Sequence, residues 1–376
     1  MATGRGETSD GQIVPATPRG LAVRSAALVT RGLRDLARHA NWLTTKVFAG
    51  QSPNAVVSCR GQVCAVAPQA KGEPQRLVVY DIDRGAAALA LTVPNEALAF
   101  GSELAKRAAF SWSQNAQFLA AAWGLWEPAV HLFDLQNKLF VGTFGEFSEF
   151  PRCIAFSPTG RFLAAGGAGP RATLELWTAQ PGKHALARPA IGRIGPPDLA
   201  EPQNLEDQSS GEGTFAGYGR IAFSPDEHIM AGVVEIKGEW ADDSILFADL
   251  PAFQQQSIFA AEGHITDLTW APNSRTMIYC SAGQAYRLGV GASEAEQLPF
   301  GAELACCHPH RPLCVCFSSW LRNSAKGRLF LFDLDSMDVL DEHPAENVAD
   351  LRWSCDGSKA YAVTRDGLAY TYDPPF

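Results

Sequence analysis

Apolar runs of strand length alternate with short polar stretches rich in Ser, Pro, Asn, Asp and Gly along most of the chain. Such a period is too short for an amphipathic helix and predicts hairpins. One phrase recurs: an apolar run ending in Phe or Trp, then Ser-Pro or a variant, a turn, and a second apolar run. It reads Cys153-Ile-Ala-Phe-Ser-Pro-Thr-Gly160 followed by Arg161 to Ala165, Ile221 to Asp226 followed by His228 to Ala231, and Leu268 to Asn273 followed by Thr276 to Tyr279. Looser copies are Phe110 to Asn115 with Phe118 to Ala121, and Leu351 to Gly357 with Ala360 to Val363. A third strand ends in an aromatic-plus-Asp signature in Leu77–Asp81, Val130–Asp134, Ile245–Asp249 and Leu329–Asp333, and as Leu174–Thr178 in one copy. A fourth run follows, as in Leu139–Phe144.

Four strands per unit is the pattern of a propeller blade. First strands start near residues 55, 108, 152, 220, 265, 304 and 348, and an interval of about 45 residues suits such blades. The expected fold is all-β: a seven-bladed propeller over residues 42–376. The last blade has only three strands of its own, so Thr44–Ala49 is expected to supply its fourth and close the ring.

The phrase resembles the WD-repeat β-propellers: Phe-Ser-Pro-Thr-Gly at 156–160, Leu176-Trp177 where Trp-Asp would stand, and Gly263-His264 before a first strand. No blade carries the whole signature. The resemblance therefore implies the propeller without implying the family's internal Asp-His-Ser-Trp network in most blades, and by analogy it implies a role as a protein-binding scaffold.

Before the propeller the period changes. Residues 1–20 are rich in Gly, Pro, Ser and Thr and are expected to be disordered. From Leu21 to about Asn41 the period is 3.6, with Leu21, Val29, Leu33, Leu36, Ala40 and Leu43 on one face and Arg24, Arg31, Arg34 and Arg38 opposite. Gly32 weakens this basic helix by about 1 kcal/mol relative to Ala, so it needs a surface. The propeller itself, a partner's groove and an anionic membrane are the three surfaces considered. For a docking helix the candidate residues are Arg31, Leu33, Arg34, Leu36, Arg38 and Leu43. On the propeller rim they are Trp126, Trp240 and Trp320, large rings in or beside loops. The widest interval, Ala179–Gly219, holds an acidic stretch at 195–213 without Lys or Arg, read as disorder or as a loop for a basic partner.

Composition narrows the function classes. With 46% apolar and 19% charged residues the chain has a large core. The net charge of −9 argues against coating nucleic acid, although residues 1–50 carry seven Lys/Arg against three Asp/Glu. Nine cysteines without a secretory leader suggest free thiols in a reducing, cytoplasmic or other intracellular compartment. The densest ligand cluster is Cys306-Cys307-His308-Pro-His310 with Cys314 and Cys316. Adjacent cysteines on a strand face opposite ways, which favours packing over a zinc site. No nucleophile elbow, phosphate loop or zinc-protease helix occurs. Gly166–Gly169 is expected to form a turn between strands and not a dinucleotide cradle. The sequence thus predicts no cofactor, no metal, no small-molecule substrate and no catalysis. It predicts protein partners, with peripheral attachment to an anionic membrane as the alternative and a hydrolase or metal enzyme third.

Overall fold

The computed structural model describes residues 42–52, 54–66, 76–92, 108–123, 128–145, 147, 150–169, 172–178, 190–195, 215–236, 242–250, 252–319 and 327–374. These form seven four-stranded antiparallel sheets. Blade 1 comprises β2 (Val56–Val57), β3 (Gln62–Val66), β4 (Arg76–Asp81) and β5 (Ala86–Thr92); blade 2 comprises β6 (Ala109–Trp112), β7 (Phe118–Trp123), β8 (Ala129–Asp134) and β9 (Leu139–Phe144). Blade 3 holds β10 (Pro151–Phe156), β11 (Phe162–Gly167), β12 (Leu174–Thr178) and β13 (Gly192–Ile194). Blade 4 holds β14 (Phe215–Phe223), β15 (Ile229–Ile236), β16 (Ser244–Asp249) and β17 (Gln254–Ala260). Blade 5 holds β18 (Ile265–Trp270), β19 (Thr276–Ser281), β20 (Gln284–Gly289) and β21 (Glu296–Gln297); blade 6 holds β22 (Leu304–Cys307), β23 (Leu313–Ser318), β24 (Arg328–Asp333) and β25 (Asp338–Pro344). Blade 7 has β26 (Val348–Trp353), β27 (Ala360–Thr364) and β28 (Leu368–Tyr372), with β1 (Trp42–Lys46) antiparallel to β28 at its outer edge.

First strands are the innermost and neighbour one another around the axis, from β2 through β6, β10, β14, β18, β22 and β26 back to β2. An apolar cluster fills each gap between blades. Phe162, Leu174, Tyr218 and Leu246 pack between blades 3 and 4, whereas Val47, Phe48, Val57, Val63 and Val363 pack between blades 7 and 1. No helix occurs among the described residues, and the expected helix at 21–41 lies outside them. Leu43, read as the last residue of that helix's apolar face, is instead a strand residue opposite Thr371 and is 58% exposed. Pairing with β28 imposes the two-residue period there. Gly166 and Gly167, read as a turn, end strand β11, where Gly166 packs so closely on Tyr218 and Cys153 that a Cβ would not fit.

The recurrent phrase has a physical cause. Its serine oxygen accepts the N–H of the residue that opens or immediately precedes the next strand: Ser113 from Phe118 at 2.9 Å, Ser157 from Phe162 at 3.0 Å, Ser224 from Ile229 at 3.0 Å and Ser354 from Lys359 at 2.9 Å. Each such bond pins the hairpin turn. Blade 5 has Ala271 at this place, and Asn273 accepts from Arg275 and Thr276 instead. The aromatic-plus-Asp signature serves the next turn: Asp134 accepts the Asn137 N–H at 3.0 Å, and Asp333 accepts from Asp335 and Ser336.

Blade 6 replaces the serine by His308. Its Nδ1 accepts the N–H groups of His310 and Arg311 at 2.9 and 3.0 Å, so Nε2 carries the proton and donates to the Gly357 carbonyl of blade 7 at 3.1 Å. The ring lies edge-on to Trp353, 4.7 Å between centroids. Gly357 has φ +73° and leaves no room for a Cβ beside His308, so both backbone and neighbour require glycine there.

Burial lowers the pKa of His308, and of His131, to about 4. Both are neutral in the fold. Their stabilising effect is complete above the unfolded value of about 6.5 and is lost as pH falls towards 4. Urea unfolding is expected to show this decline, and His308→Ala to cost about 2–4 kcal/mol at pH 7 while flattening the acid limb.

Candidate functional site

Strand direction sorts the connections onto two faces. First-to-second and third-to-fourth turns lie on one, the hairpin face; second-to-third connections and blade-to-blade crossings lie on the other, the crossing face. Trp126 falls between β7 and β8, Trp240 between β15 and β16, and Trp320 between β23 and β24. All three lie outside the described residues, yet the strands they join all open onto the crossing face. The acidic stretch joins β13 to β14 at that same face. Arg31, Leu33, Arg34, Leu36 and Arg38 also lie outside the described residues. Trp42, the first residue of β1, stands opposite Tyr372 at the hairpin face.

Around the roots of the Trp240 connection the crossing face carries a charged network. Asp243, buried just before β16, accepts N–H groups from Ile236 at 3.2 Å and Ile265 at 2.8 Å. The same carboxylate meets His264 Nδ1 at 2.8 Å. Asp242 accepts the Gly263 N–H at 2.7 Å, and Ser281 donates to the His264 carbonyl at 3.1 Å. The Gly263-His264 pair entering blade 5 is therefore docked on two aspartates of blade 4. Beside it, Arg152 of β10 pairs with Glu235 of β15, joining blade 3.

Electrostatics bind these groups together. The hydrogen bond that His264 donates to Asp243 raises the His264 pKa against a smaller effect of burial, with the charges of Asp243 and Glu235 adding. Burial raises that of Glu235, opposed by Arg152. Further down the axis Arg220 and Arg352 are exposed, and Asp267 and Asp350 are half-buried. Burial pushes Asp350 up to about 6, with Arg352 and the Val57 N–H pulling it back; Asp267 is raised in the same way and opposed by Arg220. The crossing-face network and the innermost strands together hold both signs of charge, a surface suited to polar side chains of a partner.

The cysteine–histidine cluster is dispersed by the sheet. Cys306 packs toward blade 7, while Cys307, Cys314 and Cys316 pack toward blade 5 with Phe300 and Phe330. Burial raises the pKa of Cys314, and a thiol contact with Cys314 does the same for Cys307. Both ring nitrogens of His308 are occupied. Among the described residues no three His, Cys, Asp or Glu side chains converge to hold a metal.

The family model described as WD domain, G-beta repeat, matches residues 140–172. That stretch runs from the outer strand of blade 2 through the first two strands of blade 3, so the repeat is offset from the blade by one strand. No curated protein matches the chain. The matched repeat and the seven blades together support a WD-repeat β-propeller without pointing to a subfamily; proteins of that fold generally serve as protein-interaction scaffolds and are typically non-enzymatic.

Arg152, Glu235 and Asp243 were not among the residues marked by sequence. Their signal is faint: an Asp-Asp pair preceding a third strand, 21 residues before Gly263-His264. Asp243→Ala leaves two backbone donors unpaired and is expected to lower unfolding free energy by about 2–3 kcal/mol. His264→Ala, at a largely exposed ring, is expected to cost less than about 1 kcal/mol. Because its pKa is raised, that contribution is present below about pH 6.5 and disappears as pH rises through the folded value; urea titrations at pH 5.5 and 8.5 measure both effects.

Proposed function

We propose that this protein is a non-enzymatic docking scaffold whose partner proteins bind the crossing face over blades 2 to 6. One observation carries the reading: the three tryptophan-bearing connections and the acidic segment all join strands at that face, and the Arg152–Glu235–Asp243–His264 network fixes the roots beside Trp240 on rigid sheets. Connections held on a rigid frame are where binding residues collect, and exposed aromatic rings with a charged rim make anchors. Trp42 opens β1 at the opposite face, and the basic segment that precedes it in sequence serves in this reading as a second attachment point to a larger assembly. Closure of the ring by β1 belongs to the same reading, since a scaffold presents a fixed surface only while its blades stay in place.

The test compares partners recovered from the native source by full-length protein, by Trp240→Ala, by Arg152→Glu and by a chain lacking residues 1–41, each checked for folding. A specific partner set retained without residues 1–41 and reduced at least tenfold by Trp240→Ala or Arg152→Glu is the expected result. Loss on removing the segment alone would move recognition to the hairpin face. Vesicle binding that needs Arg24 to Arg38 and falls with salt would favour the membrane reading.

Removing Trp42–Lys46 as well exposes the β28 edge and uncovers Tyr372, which packs on Trp42 at 4.5 Å. The loss of five paired residues and that contact is expected to cost about 3–5 kcal/mol, read as a lower thermal midpoint and increased self-association.

A further inference from the structure

Two thiols from the ends of the ring meet at the hairpin face. Cys59 lies in the β2–β3 turn of blade 1 and Cys355 in the β26–β27 turn of blade 7. Both donate to one acceptor, the Gln114 carbonyl in the β6–β7 turn of blade 2, and both sulfurs lie within 3.0 Å of that oxygen. They are therefore at most twice that distance apart, and the Cys59 thiol lies within hydrogen-bonding reach of Cys355. Cys355 is half-exposed, whereas Cys59 is 8% exposed. The guanidinium groups of Arg60 and Arg352 act on Cys59. Of the remaining cysteines, Cys306 is half-buried and the others are buried.

We propose that Cys59 and Cys355 form a modification site for hydroperoxides, an oxidisable thiol pair that links blade 7 covalently to blade 1. The Cys355 sulfur attacks the peroxide ROOH; the O–O bond breaks, an S–O bond forms, and the thiol proton leaves with ROH. The Cys59 sulfur then attacks the sulfenic sulfur of Cys355, its proton leaves with the hydroxyl as water, and the S–S bond forms. Two thiols are oxidised by two electrons and one peroxide is reduced to alcohol and water, or to two waters from hydrogen peroxide. Burial pushes Cys59 up to about 12 with the neighbouring Cys355 adding to the shift, which assigns the first attack to Cys355 and the resolving role to Cys59. The bond crosses the gap that separates the first and last blades, so the oxidised ring is closed by covalent linkage as well as by packing.

The full-length protein is treated with equimolar hydrogen peroxide, the remaining thiols are alkylated, and non-reducing peptide maps are recorded for wild type, Cys355→Ser and Cys59→Ala. The expected result is loss of the mass of two hydrogens, a Cys59–Cys355 cross-linked peptide in wild type only, and a sulfenic acid trapped by dimedone at Cys355 in Cys59→Ala. The oxidised wild type should also unfold at higher urea, a shift reversed by dithiothreitol and missing from Cys355→Ser, whose half-exposed turn position leaves the fold intact. Recovery of both thiols in alkylated form, or Cys355 oxidised or linked between molecules while Cys59 remains free, would overturn the proposal.

Discussion

Apart from the bridge between Gly217 of blade 4 and Ala168, the innermost strand of each blade has a sheet neighbour on one side only, and the arrangement of the ring rests on how its other edge is satisfied. Backbone groups turned toward a crowded axis need partners. Side chains from the adjacent blade supply them at each gap. Trp112 donates its ring N–H to the Val56 carbonyl, Ser111 accepts from Phe156, Cys153 donates to Tyr218, and Trp270 donates to Ala222. Asp267 accepts from Ala305, Trp353 donates to Cys306, and Asp350 accepts from Val57 across the gap between last and first blades. Apolar clusters between sheets provide bulk stabilisation without direction; these bonds fix the height and angle at which each blade meets the next.

Such a frame was legible in the chain because local chemistry repeats. The Ser-Pro phrase and the aromatic-plus-Asp signature each fix one hairpin turn by hydrogen bonds within a few residues, so their spacing announces blade boundaries. First strands at Val56, Ala109, Pro151, Ile265, Leu304 and Val348 fall within about a residue of the expected starts. Blade 4 begins earlier, at Phe215, because bulges at Gly217 and before Ile221 extend β14 beyond its apolar run. Leu43 was misread since a lone stretch of Leu and Ala satisfies a helical wheel as readily as it satisfies an outer strand; the deciding partner, Thr371, lies at the other end of the sequence.

The candidate site was less legible for the same reason. Arg152, Glu235, Asp243 and His264 come from three blades, and no local spacing reveals that they meet. Tryptophans in connections stand out by composition, which draws attention to Trp126, Trp240 and Trp320 without showing what supports them. What the fold adds is a common face and a buried carboxylate, Asp243, that ties a connection's root to the neighbouring blade. Likewise the cysteine-rich segment looks dense in one dimension and is split by the pleat into two separate clusters, while Cys59 and Cys355, far apart in sequence, converge.

The outer strand of blade 7 also constrains how the protein is made. Trp42 pairs with Tyr372, so a nascent chain leaving the ribosome can assemble blades 1 to 6 in order of synthesis, but its earliest strand must wait for its latest. Until then the apolar surfaces of Val57, Val63 and Phe48 have no blade to cover them. A stalled or prematurely terminated product would display that uncovered seam to chaperones and proteases, whereas a finished chain hides it. Pairing β1 with β28 thus gives the cell a structural mark that distinguishes closed rings from open ones.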